Sequence, residues 1–252
     1  MAHPAEAVRY ADAHESLVVR RLRTEEVTSA MAVRILEMLV SSYTEQLEDS
    51  AHMESPLPAG TVREHFDPFD PHKVADQQQR MKISMAREGQ YWLATTDTDA
   101  RDGVQSLGFL KVTPSKATVW QKLGLDDPHL YGASLVVDPH ARKLYRANHV
   151  GAALAHTAVS HAGFDPEKVA ALHAFKGSSV NEWFSRLGFR EQDGTQESFV
   201  VGTHRIEQVL MSTERGEETV TLAGIRTALE TRHPILASPT SGPIRLDSLP
   251  LL

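Results

Sequence analysis

Residues 134–154 gather the types and spacings most able to do chemistry. Ser134-Leu-Val-Val-Asp-Pro139 is a β-branched apolar run stopped by a proline, which cannot donate to a ladder, so it predicts the end of a strand. Arg142, Lys143 and Arg146 follow in a polar turn. Gly151 then opens an apolar run with Val150, Leu154, Ala158 and Val159 on one helical face. A helix N-terminus fed by a strand, with cations and a glycine in the turn, can hold an anion, because its free N–H groups and positive dipole end point outward. The basic cluster also has a plainer reading, as a solvated turn. His173 stands in the apolar run Val169-Ala-Ala-Leu-His-Ala-Phe175. Histidine titrates near neutral pH and can move a proton, although a lone histidine among apolar neighbours is more often a satisfied core residue. With no cysteine in the chain, thiolate nucleophiles, thiolate metal sites and disulfides are excluded. No histidine–carboxylate spacing suggests a metal, and none is expected.

The elements that must position these groups follow from periodicity. Residues 1–16 are expected to be a flexible start. Leu17–Arg23 alternates apolar with charged residues and predicts the first strand. Ser29 to Leu47 carries apolar residues at helical spacing. Residues 56–71 are rich in proline and acidic residues and predict loop with short helices at most. Asp70-Pro71 is a cap followed by a first-turn proline, opening a helix to Arg87. Gln90–Thr95 and Gly103–Val112 predict the second and third strands, and Trp120, Leu123 and Leu125 mark a buried insertion after them. Tyr131–Val137 is the fourth strand, Val150–Ala162 the main helix stopped by Gly163, and Val169–Phe175 a central fifth strand, apolar on both faces. Val180–Leu187 is a short helix closed by Gly188. Phe189 begins a sixth strand and Arg205–Ser212 forms the last. Residues 213–252 predict an extension: a helix over Thr221–Thr231, then a proline-rich tail.

Composition limits the classes. An apolar content of 41% fits a globular chain, and a net charge of -7 argues against binding nucleic acid through overall charge. The polar start is no signal peptide, and no apolar run reaches the roughly 18 residues of a membrane helix. These readings predict a cytoplasmic protein with no nucleic-acid or membrane partner.

The order of strand, two helices, antiparallel strands, then strand–helix–strand–helix–strand resembles the GNAT-type N-acetyltransferase superfamily. Three motifs carry the resemblance: Leu135-Val-Val-Asp-Pro139; the loop Arg146-Ala-Asn-His-Val-Gly151 before an apolar helix, similar to the family's R/Q-x-x-G-x-G/A; and the aromatic helix ending in Leu187-Gly-Phe189-Arg. It spans residues 17–212 and is sharpest over 130–190. It implies an α/β fold of the α+β type, with a mixed, mostly antiparallel central sheet, flanking helices and a splayed parallel strand pair. His149 stands where the family's first loop glycine is expected. Phe184 replaces the usual tyrosine, and about four extra residues precede the loop arginine, Arg142 holding the family's usual basic position.

The resemblance further implies direct transfer of an acetyl group from acetyl-CoA to an amine. Arg142, Arg146, Asn148, His149, Val150, Gly151 and Ala152 would hold the pyrophosphate. Val136 and Val137 would hold the pantetheine arm and supply an amide to the oxyanion. Asn181, Ser178 and Phe184 would border the coenzyme. For the base it offers His173 beside the splay, Tyr131 where some members carry a glutamate or histidine, and more weakly Glu182. Each has a packing role as its plainer reading. The expectation is an acetyl-CoA-dependent N-acetyltransferase whose acceptor is a small-molecule or protein amine. Its rival is a catalytically silent acyl-CoA-binding sensor or assembly module, favoured by Phe184 and His149. A homodimer with the extension lying on the partner subunit is also open.

Overall fold

The computed structural model describes residues 7–11, 16–48, 56–96, 106–113, 117–126, 129–139, 149–161, 169–186, 189–213 and 244–245. In chain order the strands are β1 (Ala7–Ala11), β2 (Ser16–Arg21), β3 (Gln90–Thr96), β4 (Gly108–Thr113), β5 (Leu130–Val137), β6 (Ala170–Phe175), β7 (Arg190–Glu191), β8 (Glu197–Val201), β9 (His204–Ser212) and β10 (Ile244–Arg245). The α-helices are α1 (Ser29–Tyr43), α2 (Thr61–Phe66), α3 (Pro71–Ala86), α4 (Ala117–Lys122), α5 (His149–His161) and α6 (Ser179–Arg186). The strands form one sheet in the order β10-β1-β2-β3-β4-β5-β6-β9-β7, with β8 also on β9. Two neighbouring pairs are parallel, β5 with β6 and β1 with β10.

The two-residue alternation of β3 sorts the layers. Tyr91 and Leu93 pack with Met31, Ile35 and Met38 of α1 and with Met81 of α3. Trp92 and Ala94 pack with Val150, Ala153, Leu154 and Ala158 of α5 on the opposite face. On β6, Ala170, Leu172 and Ala174 pack beside Trp183 and Phe184 of α6. Leu130 lies against the α5 cluster and pairs in register with Ala170, so α5 and α6 share a face. Caps set the boundaries on the other side: Thr28 accepts from the N–H of Met31 at 3.2 Å, and Asp70 from that of His72 at 2.8 Å.

The structure corrects three expectations. Residues 7–11 of the expected flexible start are β1, whose pairing with β2 gives that strand's outer edge a partner. The last two strands are joined by β8, which the sequence reading left out. The helix expected to Leu47 changes at Tyr43 into a π-helical segment, Thr44–Glu48. Gly163, Gly188 and the helix expected over 221–231 lie outside the described residues.

Gly108 marks how closely β4, β5 and α5 approach. A Cβ there would lie 2.7 Å from the backbone oxygen of Val136 and 3.2 Å from Leu154 Cδ1 and Val150 Cγ1. Gly108→Ala should therefore destabilise the fold by about 2 kcal/mol, the scale of an overpacked core site, as measured by urea denaturation.

Candidate functional site

The central parallel pair separates early. Leu130 pairs with Ala170, Tyr131 with Ala171 and Gly132 with Leu172, and the register ends there although β5 continues to Val137 and β6 to Phe175. On its other edge β5 carries a bulge at the same point. Lys111 pairs with Ser134 and Val112 with Gly132, which leaves Ala133 as the inserted residue. The insertion resets the alternation. Tyr131 and Val136, which strict alternation would place on opposite faces, both point to the α1 side.

The gap is a cavity of about 330 Å³ lined from both faces of the sheet. Ala155, Ala158, Val180 and Phe184 close it on the α5 and α6 side. Tyr43, Gln46, Phe175 and Phe199 close it on the α1 side. It is a slot between the two strands, lined from both sides of the sheet. The edge of β5 along it is polar backbone. Asp138 donates its N–H to the carbonyl of Leu107, just before β4, so alternation turns the N–H of Leu135 the other way, toward the slot.

Tyr131 and His173 meet at this slot. Tyr131 Oη lies 2.7 Å from His173 Nδ1. The opposite ring nitrogen, Nε2, lies 3.5 Å from Glu197 Oε2, and Lys122 Nζ is 2.5 Å from the other oxygen of that carboxylate. The His173 side chain is only 4% exposed, against 34% for Glu197 and 38% for Lys122. Burial, reinforced by the Glu197 charge, pushes the Tyr131 hydroxyl well above the ordinary tyrosine range. Tyr131 therefore keeps its proton at neutral pH, and a ring that accepts it at Nδ1 carries its own hydrogen on Nε2, facing Glu197. The four groups form a chain from an enclosed hydroxyl to a half-exposed ion pair.

The other expected residues fall into three groups. Phe184 lines the slot and packs edge-on against Trp183 and Phe189, with ring centroids 4.8 and 5.4 Å away. Val136 is buried against α1, while Val137 packs on the α5 cluster, its Cγ2 facing Gly151. Both lie beyond the stretch of β5 that lines the slot, which ends at Leu135. Asn181 and Ser178 serve local structure: the Asn181 carboxamide donates to Glu191 at 2.7 Å, and Ser178 Oγ accepts from the N–H of Asn181 while donating to Phe175 O. Glu182 is exposed on α6. Val150 is buried at the start of α5. Arg142, Arg146 and Asn148, and the side chains of His149 and Ala152, lie outside the described residues.

Glu197 and Lys122 were not anticipated, and a signal for Glu197 existed. Gly202-Thr203 forms a two-residue turn with Gly202 at φ +59°, Val201 pairs with His204, and the burial of Glu197–Val201 alternates along the strand. A glycine-first two-residue turn after a run of aromatic and β-branched residues is a hairpin signal.

The GNAT-type resemblance holds at the level of fold. Similar solved structures include a provisionally named acetyltransferase with 12% identity and a TM-score of 0.50, covering 92% of this chain and 98% of its own. A Bacillus halodurans protein of uncharacterised function has 10% identity and a TM-score of 0.50, covering 91% of this chain and 98% of its own. A Chromobacterium violaceum protein, provisionally named an acetyltransferase of the GNAT family, has 15% identity and a TM-score of 0.46, covering 84% of this chain and 92% of its own. No protein-family model matches the sequence, and neither does any curated protein. Among the described residues no three His, Asp or Glu side chains are grouped to hold a metal ion, and no helix is long and apolar enough to cross a membrane.

Burial raises Tyr43 and Tyr91 to about 12 and Tyr131 further still. In the unfolded chain tyrosine ionises near pH 10, so the folded state holds these protons longer. Their stabilisation is complete below about pH 10 and is lost as pH rises through the folded values. Denaturation midpoints should therefore fall between about pH 10 and 12, and Tyr131→Phe should make that fall shallower.

Proposed function

We propose that this protein is an acetyl-CoA-dependent N-acetyltransferase. The observation that carries this reading is the slot left where β5 and β6 stop pairing, with the Tyr131–His173 pair on one side of it. Such a slot lets a thioester enter from the α5 and α6 face and an amine from the α1 face, so that the two meet inside the sheet. The fit rests on this chain's own features. The edge of β5 past Gly132 offers main-chain groups to an extended pantetheine arm. The start of α5 follows the end of β5, where N–H groups suit a diphosphate. Gly151 faces only Val137 Cγ2 at 3.6 Å among the described residues, an ordinary contact that would admit a Cβ. Packing among the described residues gives no reason for glycine there, whereas close approach by a ligand does.

Acetyl-CoA supplies an acetyl group activated as a thioester. The residues supply the rest. The Leu135 N–H is positioned to donate to the carbonyl oxygen as negative charge builds on it. An attacking amine gives a proton to Tyr131 Oη as the Tyr131 proton passes to His173 Nδ1, and Glu197 balances the imidazolium that results. Phe184 has no proton for the departing thiolate. A thiol pKa of about 8.5 makes that thiolate a tolerable leaving group at neutral pH.

The chain has no cysteine, so thiol released from acetyl-CoA can be followed directly with a thiol-reactive chromophore. Amine-dependent release is expected, and absence of both release and calorimetric binding at millimolar acetyl-CoA would reject the reading. His173→Gln should lower kcat about 100-fold with little change in KM for acetyl-CoA. Arg146→Glu should weaken acetyl-CoA binding about tenfold through lost phosphate attraction. Gly151→Ala should also weaken it while raising the melting temperature, because alanine is the better helix residue.

A further inference from the structure

We infer that the acceptor is a ring-bearing primary amine with no second charge, its ring held against Tyr43, Phe175 and Phe199 and its nitrogen at Tyr131. This rests on the transferase reading above and deepens it.

Three elements distant in sequence bring the rings together. Tyr43 ends α1, Phe175 ends β6, and Phe199 stands in β8. The ring centroids lie 5.3 Å apart for Tyr43 and Phe175, 5.8 Å for Tyr43 and Phe199, and 5.5 Å for Phe175 and Phe199. Phe175 is buried, Tyr43 and Phe199 are partly covered, and all three line the slot. Edge-to-face contacts of this kind suit one more ring. The π-helical segment after Tyr43 turns Gln46 toward the same space, and its amide nitrogen is already tied to Ser42 Oγ at 2.9 Å.

The charge pattern selects the class. Among the described lining residues there is no Lys, Arg, Asp or Glu. A carboxylate on an amino acid would find no cation among these residues. A polyamine or aminoglycoside would place several ammonium groups against them without counter-charges. A single amine on an apolar body meets neither obstacle. The apolar surroundings also favour its neutral form, the one that attacks. His173, backed by Glu197, is the group placed to take up the charge displaced when it reacts.

The test uses the full chain and β-phenylethylamine as probe. Calorimetric titration, with and without saturating coenzyme A, should give saturable binding, at least about tenfold tighter than spermidine or lysine. Phe199→Ala should weaken it about tenfold, while Val200→Ala, an exposed neighbour, should not; circular dichroism of both variants checks the fold. Thiol release should follow the same order of amines. If spermidine or lysine is acetylated and β-phenylethylamine neither binds nor reacts, the acceptor class is overturned and the transferase reading stands. If no amine reacts and acetyl-CoA does not bind, the transferase reading fails. Binding of β-phenylethylamine alone, sensitive to Phe199, would then still support the ring pocket, and its absence would overturn it.

Discussion

The parting of β5 from β6 after Gly132 and Leu172 is the constraint on which the rest of the site depends. A parallel pair in the middle of a sheet normally exchanges main-chain hydrogen bonds along its length, and an opening there leaves polar groups without ladder partners. The fold tolerates the opening because each strand is held on its outer side. β4 pairs with β5 from Tyr131 to Val137, and β9 pairs with β6 from Ala171 to Phe175. The gap thus lies between two half-sheets that are each paired along their length.

A second device fixes the far end of β5. Arg34 of α1 donates to the Ser106 carbonyl at 2.6 Å and to Asp138 Oδ2 at 2.8 Å. The Arg34 and Asp138 side chains are 19% and 13% exposed, so this pair is screened less than a surface salt bridge. It ties the residue after β5 to α1 and to the segment before β4. Asp138-Pro139, which reads in sequence as a strand stop, is in three dimensions an anchor as well.

The Tyr131–His173–Glu197–Lys122 chain illustrates how burial and charge divide the work. The inner pair is enclosed, and the outer pair is ionic and reaches solvent. A neutral pair costs little to bury, while an isolated carboxylate beside it would cost much. Placing Glu197 at the half-exposed margin, with Lys122 against it, keeps a negative charge near the imidazole without burying it alone.

The sequence by itself determined the elements with strong local signals: the capped helix from Asp70-Pro71, the alternation of Leu17–Arg23, the apolar run of β6 and the strand stop at Asp138-Pro139. These follow from propensity, capping and period, which act over a few residues. It also placed Tyr131 and His173 as candidates, through the motifs they stand among. It could not pair them, since their contact needs the registered start of the parallel strands and the extra residue at Ala133, and a bulge has no reliable signature in one strand alone. Glu197 and Lys122 were missed because the first lies on a short hairpin strand and the second on a helix read only as a buried insertion. The aromatic wall of Tyr43, Phe175 and Phe199 joins residues more than 150 positions apart at its extremes, a contact that only the sheet order and the packing of α1 across it decide.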